Sequence, residues 1–311
     1  MNLIRIGTRK SKLALWQAEY VAKKLNEGGL QTELVLMETI GDKVLDVSIS
    51  KIGSKGVFTE ELEVKLACGE IDIAVHSAKD MQSTLEQGFE IVAFSEREIV
   101  NDVIVSDKHI DLNAEIVLGT SSTRRIATLH HFYPKVKTVE VRGNLQTRLE
   151  KMRGGLCDGL VLAYAGVHRM GYQELVRHQL ALDEFTPAVG QGSIAIESHQ
   201  SLSNEKREKI RMLINHPSTE KRLLAERAFL KKLEGGCSIP VFALAYHLVD
   251  SKDSVGTISI TGGIISLDGK ERIIKSAEGS DPEKLGTALA QSVLDSGGDH
   301  ILKEIKSQLN K

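Results

Sequence analysis

Segments with strand periodicity and segments with helix periodicity alternate through the first two hundred residues of this 311-residue chain. Residues 3–7 alternate like a strand, residues 12–27 repeat apolar side chains at helical spacing, and residues 32–37 return to a strand pattern. This order predicts a βαβ unit. Because strands separated by helices usually pair in parallel, we expect parallel sheets with helices on both faces. The predicted fold class of this part is α/β.

The remaining segments separate this α/β part from a different C-terminal part. Further strands are predicted at residues 71–75, 102–105, 116–119, 138–141, 160–163 and 193–197. Helices are predicted from Thr59, after Ser122, after Asn144, around Gln173 and over residues 204–215. A helix from residue 219 then precedes three consecutive strands, with Asp268-Gly269 as a hairpin turn, and two final helices begin at Pro282. Consecutive strands followed by helices predict a smaller α+β domain.

Composition and charge exclude several classes of protein. Lys and Arg number 40 and Asp and Glu number 42, a net charge of -2, whereas proteins that bind nucleic acid through its phosphates usually carry excess cations. The longest stretch without these charged residues, 235–249, has 15 residues and is shorter than the ~20 that cross a bilayer. Three cysteines at unrelated spacings argue against disulfides or a zinc site and predict a reducing, cytoplasmic location.

Cations follow three of the predicted strands at the point where each strand ends. The segments that carry them are residues 8–11, 120–125 and 142–144. In open parallel sheets, ligands bind beyond the carboxyl ends of the strands, where helix N-termini offer free N–H groups. Guanidinium groups there can bind carboxylates or phosphates through two hydrogen bonds. One such turn is typical of a solvated loop, but three coordinated turns predict an anion-binding site.

Two further residues suit chemistry as well as binding. Asp80 follows an apolar strand and lies next to Lys79, so it is either a surface ion-pair partner or a carboxylate that stabilises a cationic intermediate. Cys237 follows two glycines in a turn, where a thiolate is open to reaction or covalent modification. Cys68 and Cys157 are predicted to be small core residues.

The sequence predicts no dinucleotide-binding site, no P-loop and no metal site. Residues 190–195 match the G-x-G-x-x-A dinucleotide pattern, but a strand pattern follows them where the fingerprint requires a helix. Residues 269–271 lack the hydroxyl residue of a P-loop. The histidines form no H-E-x-x-H or Cys/His cluster, so no metal site is predicted.

Seven motifs occur in the order found in the porphobilinogen deaminase family, which the chain resembles from end to end. They occupy residues 7–14, 51–56, 75–80, 119–125, 142–148, 188–192 and 233–237. The resemblance implies two domains similar to periplasmic binding proteins (1–97 with 193–215, and 98–192) and a C-terminal α+β domain (216–311) that carries the cofactor cysteine. It also implies a monomer.

The resemblance further implies a reaction and a cofactor. Four porphobilinogen molecules would condense in succession, each losing ammonia, into hydroxymethylbilane, a step of haem biosynthesis. The growing chain would be held on a dipyrromethane cofactor that is bound through a thioether to Cys237. The reaction that the resemblance implies uses neither a metal nor a nucleotide.

Residue roles follow from the same resemblance. Asp80 is the implied catalytic residue. The implied cofactor-binding residues are Cys237, Lys79, Asp80, Ser77, Ser122, Arg124, Arg125, Arg142, Gly143 and Thr120. The implied substrate-binding residues are Arg9, Ser11, Arg148, Arg169, Gln191, Lys51 and Lys55. This assignment agrees with the chemistry, because each pyrrole carries two carboxylates and loss of ammonia leaves a cation that one carboxylate can stabilise and deprotonate.

Residues 41–56 are predicted to form a mobile lid. The segment is long for a connection, contains three glycines, and carries Lys51 and Lys55 to follow a growing polyanion. Departures from the family pattern occur at Lys12, Gln82, Thr123 and residues 99–100, and none of them removes a chemical group. At Gln82 the family usually has proline.

Two other functions compete with the enzyme. A two-lobed solute-binding or effector-sensing protein would use the same cations for an anionic ligand without chemistry. Such a protein needs neither Asp80 nor Cys237, so these residues favour the enzyme. Nucleic-acid binding fits poorly, because aromatic residues make up only 4% of the chain and do not alternate with basic residues as a stacking platform requires.

Overall fold

The computed structural model describes residues 3–38, 59–236, 238–248 and 256–309. The strands within these ranges are β1 (Leu3–Arg9), β2 (Gln31–Met37), β3 (Ile73–Ser77), β4 (Phe89–Phe94), β5 (Asp102–Val105), β6 (Val117–Gly119), β7 (Lys137–Val139), β8 (Gly159–Ala163), β9 (Val176–Gln179), β10 (Ile194–His199), β11 (Val241–His247), β12 (Ile258–Ile265) and β13 (Arg272–Gly279). The α-helices are α1 (Lys12–Glu27), α2 (Glu60–Ala67), α3 (Thr123–Phe132), α4 (Leu145–Arg153), α5 (Tyr164–Arg169), α6 (Asn204–Ile214), α7 (Pro217–Lys232), α8 (Pro282–Val293) and α9 (Asp299–Leu309).

The first two sheets have the same topology. The first has the strand order β2-β1-β3-β10-β4, and the second has the order β7-β6-β8-β5-β9. We refer to the first sheet with its helices as the first α/β unit and to the second sheet with its helices as the second α/β unit. In both units the first three strands of this order are parallel, and the fourth is antiparallel to both of its neighbours.

The sheets are therefore mixed, and the prediction of wholly parallel sheets was wrong. The chain leaves the first unit after β4, enters the second at β5, and returns to the first at β10. Ile194 pairs with Ser77 at the carboxyl end of β3, and Asp102 pairs with Ala163 at the carboxyl end of β8. Each crossing thus enters its sheet at the carboxyl edge of the parallel strands, which forces the new strand to run in the opposite direction.

Helix α1 illustrates how the first sheet is covered. Ser11 caps the helix, because its side chain accepts a hydrogen bond from the Ala14 amide. The helix buries Ala18, Val21 and Leu25 against the sheet, as the apolar spacing predicted. Full burial of a Val or Leu side chain contributes about 1.5–3 kcal/mol. This packing fixes the short loop that joins β1 to α1 and that follows directly after Arg9.

The third unit consists of the antiparallel sheet β11-β12-β13 with helices α7, α8 and α9 packed on it. The predicted hairpin turn joins β12 to β13, and Gly269 within it has φ +78°. A Cβ atom at Gly269 would lie 2.4 Å from the Ala127 carbonyl oxygen of α3, so only glycine permits this contact between the third and second units. The predicted combination of α/β units with a smaller α+β unit is confirmed.

Several local predictions were wrong. Strands β4 and β9 were not predicted, and Gln173–Leu175 forms only a 3-10 turn, while the helix lies earlier, at Tyr164–Arg169. Cys68 is exposed because it lies immediately after the last residue of α2, whereas Cys157 is buried as predicted. Among the described helices, none combines the length and the apolar character needed to cross a membrane.

Candidate active site

A cavity of about 680 Å³ lies between the two α/β units, at the carboxyl edges of their parallel strands. Its walls come from the segments after β1, β3, β6, β7 and β8 and from residues 191–193. The residues of the predicted site that line it are Arg9, Ser11, Ser77, Lys79, Asp80, Arg125, Arg142, Gly143, Arg148, Arg169 and Gln191. The common edge of two sheets therefore brings together residues that lie far apart in the sequence.

Other residues of the predicted site lie elsewhere. Thr120, Ser122 and Arg124 do not line the cavity. Ser122 caps α3, and the Thr120 hydroxyl accepts a hydrogen bond from the Ser122 amide at 3.2 Å, so both shape the turn before the helix. Cys237, Lys51, Lys55 and the predicted lid at residues 41–56 lie outside the described residues.

Asp80 lies at the end of a short 3-10 turn, Ala78–Asp80, that follows β3 directly. The Ala78 amide donates to the Ser193 carbonyl at 2.9 Å. Gly190 has φ +78°, and a Cβ atom there would lie 2.8 Å from the Ala78 backbone. The turn is thus packed against the chain that returns from the second unit, and it presents the Asp80 carboxylate, which is exposed, to the cavity.

Gln17 supports the same edge of the cavity and was missed in the sequence. Its amide donates to the Ser77 hydroxyl at 2.9 Å, one residue before the turn that carries Asp80. Gln17 is only 2% exposed and lies on the buried face of α1 among the apolar residues. A polar side chain on an apolar helical stripe was the signal that could have identified it.

Asp102 organises the arginines of the second unit. It is fully buried at the start of β5, and its two carboxylate oxygens accept hydrogen bonds from Arg124 at 2.7 Å and Arg125 at 2.7 Å. Gln191 donates to the same carboxylate at 3.0 Å. The two guanidinium groups hold the pKa of Asp102 well below its usual range, although burial opposes this. Asp102 was also missed, and the only signal was an acidic residue before the apolar run 103–105.

Cations crowd the cavity wall. Desolvation in the cleft and the neighbouring Arg125 lower the pKa of Lys79 to about 8, and Asp80 only partly offsets this. Desolvation and Arg125 likewise lower the pKa of Arg148 to about 10. Cationic side chains that repel one another in this way are stabilised when an anion binds between them. The wall is therefore suited to a ligand with several carboxylates.

Arg169 joins the two α/β units at the side of the cavity. Its guanidinium lies 5.4 Å from the ring centroid of Trp16 on α1 and donates to the Gly192 carbonyl at 2.8 Å. Gln191 donates to the Val100 carbonyl at 2.7 Å, while its Oε1 atom is buried with no hydrogen-bond partner among the described residues.

The third unit is tied to this region through a buried ion pair. Glu226 of α7 accepts two hydrogen bonds from Arg97, at 2.5 and 3.0 Å, and both side chains are almost fully buried. The same carboxylate accepts from the Gly190 amide at 3.0 Å and the Ala245 amide of β11 at 2.9 Å. One carboxylate thus links both crossings between the α/β units to the third unit.

Comparison with known proteins identifies the family. The model described as "Porphobilinogen deaminase, dipyromethane cofactor binding domain" matches residues 4–207, and the model of the C-terminal domain of that family matches residues 221–295. This chain belongs to the porphobilinogen deaminase family. The predicted family, its class as a transferase enzyme and its dipyrromethane cofactor are thereby confirmed.

Individual members of the porphobilinogen deaminase family match the chain over nearly its whole length. The porphobilinogen deaminase of Cytophaga hutchinsonii is 55% identical over 313 residues, which cover 99% of this chain and 98% of that protein. The one from Desulfosudis oleivorans is 54% identical, with 98% of each chain covered. Among solved structures, the VFT2 domain of Bordetella pertussis BvgS matches with a TM-score of 0.44 and 16% identity, over 73% of this chain and 92% of that one.

The cavity fits the dipyrromethane cofactor of this family. Two linked pyrroles carry four carboxylates, and the wall offers Lys79, Arg125, Arg142 and Arg148 within one cavity. The charge of the wall therefore agrees with the cofactor of the family.

Proposed function

We propose that this chain condenses porphobilinogen stepwise, with loss of ammonia, on a dipyrromethane that is bound through a thioether to Cys237. The observation that carries the proposal is the position of Asp80, a carboxylate presented to a cavity whose other charged walls are mostly cationic. A binding protein for polycarboxylates gains nothing from a carboxylate at that position. A reaction that develops positive charge on a pyrrole requires one.

The cationic residues bind and orient the carboxylates of cofactor and substrate. Lys79, Arg125 and Arg142 hold the cofactor, with Ser77 and Gly143 beside them, and Arg9, Arg148 and Arg169 hold the incoming substrate, with Ser11 and Gln191. Arg124, Ser122 and Thr120 act from behind the wall, since Arg124 bonds Asp102 and the Thr186 carbonyl rather than lining the cavity. Lys51 and Lys55 of the proposed lid complete the substrate-binding set.

Asp80 stabilises the positive charge that appears on a ring when ammonia leaves, and it accepts the proton that the attacking pyrrole must lose. The dipyrromethane, when bound, supplies an electron-rich ring carbon to which the first substrate is added. Repeated addition requires that water be kept from the cationic ring, a role we assign to residues 41–56.

The proposal also covers the domain limits, the oligomeric state and the cellular location of the protein. Domain limits at 1–97 with 193–215, 98–192 and 216–311 are supported by the membership of β10 in the first sheet and by the separate third sheet. We further propose a monomeric, cytoplasmic enzyme whose product is hydroxymethylbilane.

Intact-protein mass together with an activity assay tests this function. The purified protein is expected to carry two extra pyrrole units and to consume porphobilinogen. Cys237→Ser is expected to lose both the added mass and the activity, whereas Cys68→Ser and Cys157→Ser keep them. A fully loaded Cys237→Ser protein would contradict the thioether, and a loaded protein that leaves porphobilinogen unchanged would contradict the reaction.

A further inference from the structure

The turn that carries Asp80 must be held at both of its ends to keep the carboxylate in place. Its entry is held by the bond between Gln17 and Ser77 and by the bond from the Ala78 amide to the Ser193 carbonyl. Beyond Asp80, Met81 is buried in the core with Phe94 and Leu223, and the connection to β4 that follows it is partly exposed. The exit of the turn is therefore held by the packing of Met81 and by the hydrogen bonds of the next residue, Gln82.

Gln82 makes the side-chain hydrogen bonds at this exit. Its amide nitrogen lies 3.2 Å from the Thr59 hydroxyl and 3.4 Å from a carboxylate oxygen of Glu63. Thr59 is the N-cap residue of α2 and Glu63 lies in its first turn, and both are buried. The side chain of Gln82 thus fastens the exit of the turn to the start of a helix in the same unit.

The backbone of Gln82 is held from another direction. Its carbonyl oxygen accepts a hydrogen bond from Arg227 of α7 at 2.8 Å. Arg227 belongs to the third unit, whereas Thr59 and Glu63 belong to the first. Gln82 is therefore the point where the turn of Asp80, helix α2 and the third unit meet.

We propose that Gln82 is a positioning residue for Asp80, because its amide bonds to Thr59 and Glu63 fix the exit of the catalytic turn. This inference rests on the proposed catalytic role of Asp80. A displacement of about 1 Å in a reacting group can cost about a hundredfold in rate. Gln82 does not line the cavity, so its loss is expected to lower the rate of the reaction and to leave substrate binding to the cations of the wall.

The first test compares Gln82→Ala with Gln87→Ala. Gln87 is exposed in the same connection between β3 and β4, so it controls for a change of residue type in this segment. We expect Gln82→Ala to lower kcat about tenfold with KM changed less than twofold, while Gln87→Ala matches the parent. Both proteins are to be compared as loaded holoenzymes of verified mass. A kcat for Gln82→Ala within twofold of the parent would overturn the proposal.

The second test replaces the amide donor of Gln82 with a carboxyl group. Gln82→Glu places a second carboxyl group beside Glu63, whose pKa is already raised by burial. The other titratable or charged groups that face this position are His76, Glu86, Glu197 and Arg227. Above the pKa values of the two carboxyls their repulsion displaces the turn, so kcat of Gln82→Glu is expected to fall relative to the parent as pH rises.

Adding Glu63→Gln to Gln82→Glu restores one amide and one carboxylate with their positions exchanged. The Thr59 hydroxyl can serve as donor or acceptor in either arrangement. We expect the double variant to recover at least half of the parent kcat and its pH profile, whereas Glu63→Gln alone does not exceed the parent. A double variant no faster than Gln82→Glu at every pH would overturn the proposal. Urea denaturation of both variants shows whether a difference in stability accompanies the difference in kcat.

Asp80→Asn in the same assay separates the two possible failures. If Asp80→Asn keeps the parent rate, the proposed role of Asp80 fails, and this inference fails with it. If Asp80→Asn is slow while the Gln82 variants are normal, only the positioning role of Gln82 is wrong.

Discussion

The two α/β units share one strand order, yet they support their parts of the cavity in different ways. In the first unit, Asp80 is presented by a short turn that hydrogen bonds of its own residues hold in place, including those of the Ala78 amide and the Gln82 side chain. In the second unit, Arg124 and Arg125 are held by the single buried carboxylate of Asp102. One unit thus presents an anion on hydrogen-bonded backbone, and the other presents cations on a buried ion cluster.

This difference separates catalysis from stability. Asp80 is exposed and only partly offsets the crowded charges of Lys79 and Arg148, so the effect of replacing it falls mainly on the reaction. Replacing Asp102 leaves two buried guanidinium groups without their carboxylate, so the effect falls on folding and on the shape of the wall. The same topology therefore predicts opposite consequences for two aspartates that lie near one cavity.

The largest expected effect tests the buried cluster. Asp102→Asn is expected to lower the free energy of unfolding by about 3–5 kcal/mol, because removing one partner strands the buried charges of Arg124 and Arg125. Urea denaturation measures this change. Asp107→Asn is the control, since Asp107 pairs with Arg153 at 2.9 Å on the surface of the same unit and its loss costs at most about 1 kcal/mol. Equal losses for the two variants would show that burial of the cluster does not matter.

The next effect tests the exposed carboxylate. Asp80→Asn is expected to lower kcat about a hundredfold, or ~3 kcal/mol of transition-state stabilisation, with little change in the free energy of unfolding. Steady-state kinetics of the loaded enzyme and urea denaturation measure the two quantities. Asp111→Asn, in an exposed turn of the second unit, keeps an oxygen acceptor for the Asn113 amide and should behave like the parent. A large loss of stability in Asp80→Asn would erase the contrast with Asp102.

The smallest effect concerns Lys79, which lies beside Asp80 but is crowded by the cations of the second unit. Its pKa is lowered to about 8, so the ammonium form that binds carboxylates is present below pH 8 and is lost as pH rises through that value. The affinity of Cys237→Ser protein for a pyrrole dicarboxylate is therefore expected to fall by up to about tenfold between pH 7 and pH 9. Isothermal titration calorimetry measures it. Lys79→Arg should bind with little change over this range, and a parent-like fall in that variant would assign the titration to another group.

Much of the candidate site was predictable from residues at the ends of strands. Arg9, Asp80 and Arg142 follow or end predicted strands, and all three line the cavity. Arg148, which also lines it, was predicted only through the family resemblance. The first three converge because the carboxyl ends of parallel strands share one edge, a rule that needs no knowledge of side-chain packing. Arg124 shows the limit of that rule, since it occurs in the same kind of turn but bonds Asp102 behind the wall.

The alternating α/β part, the α+β part, the anionic character of the ligand and the family could all be predicted from the sequence alone. These properties rest on local periodicity, on charge at turns and on motifs that are each contiguous in the chain. The three-dimensional fold was needed to show that the sheets are mixed, that Asp102 holds two arginines, and that Gln82 bonds Arg227 across 145 positions. Such pairings depend on which surfaces pack together, and a polar residue far along the chain gives no local signal of the partner that burial will bring to it.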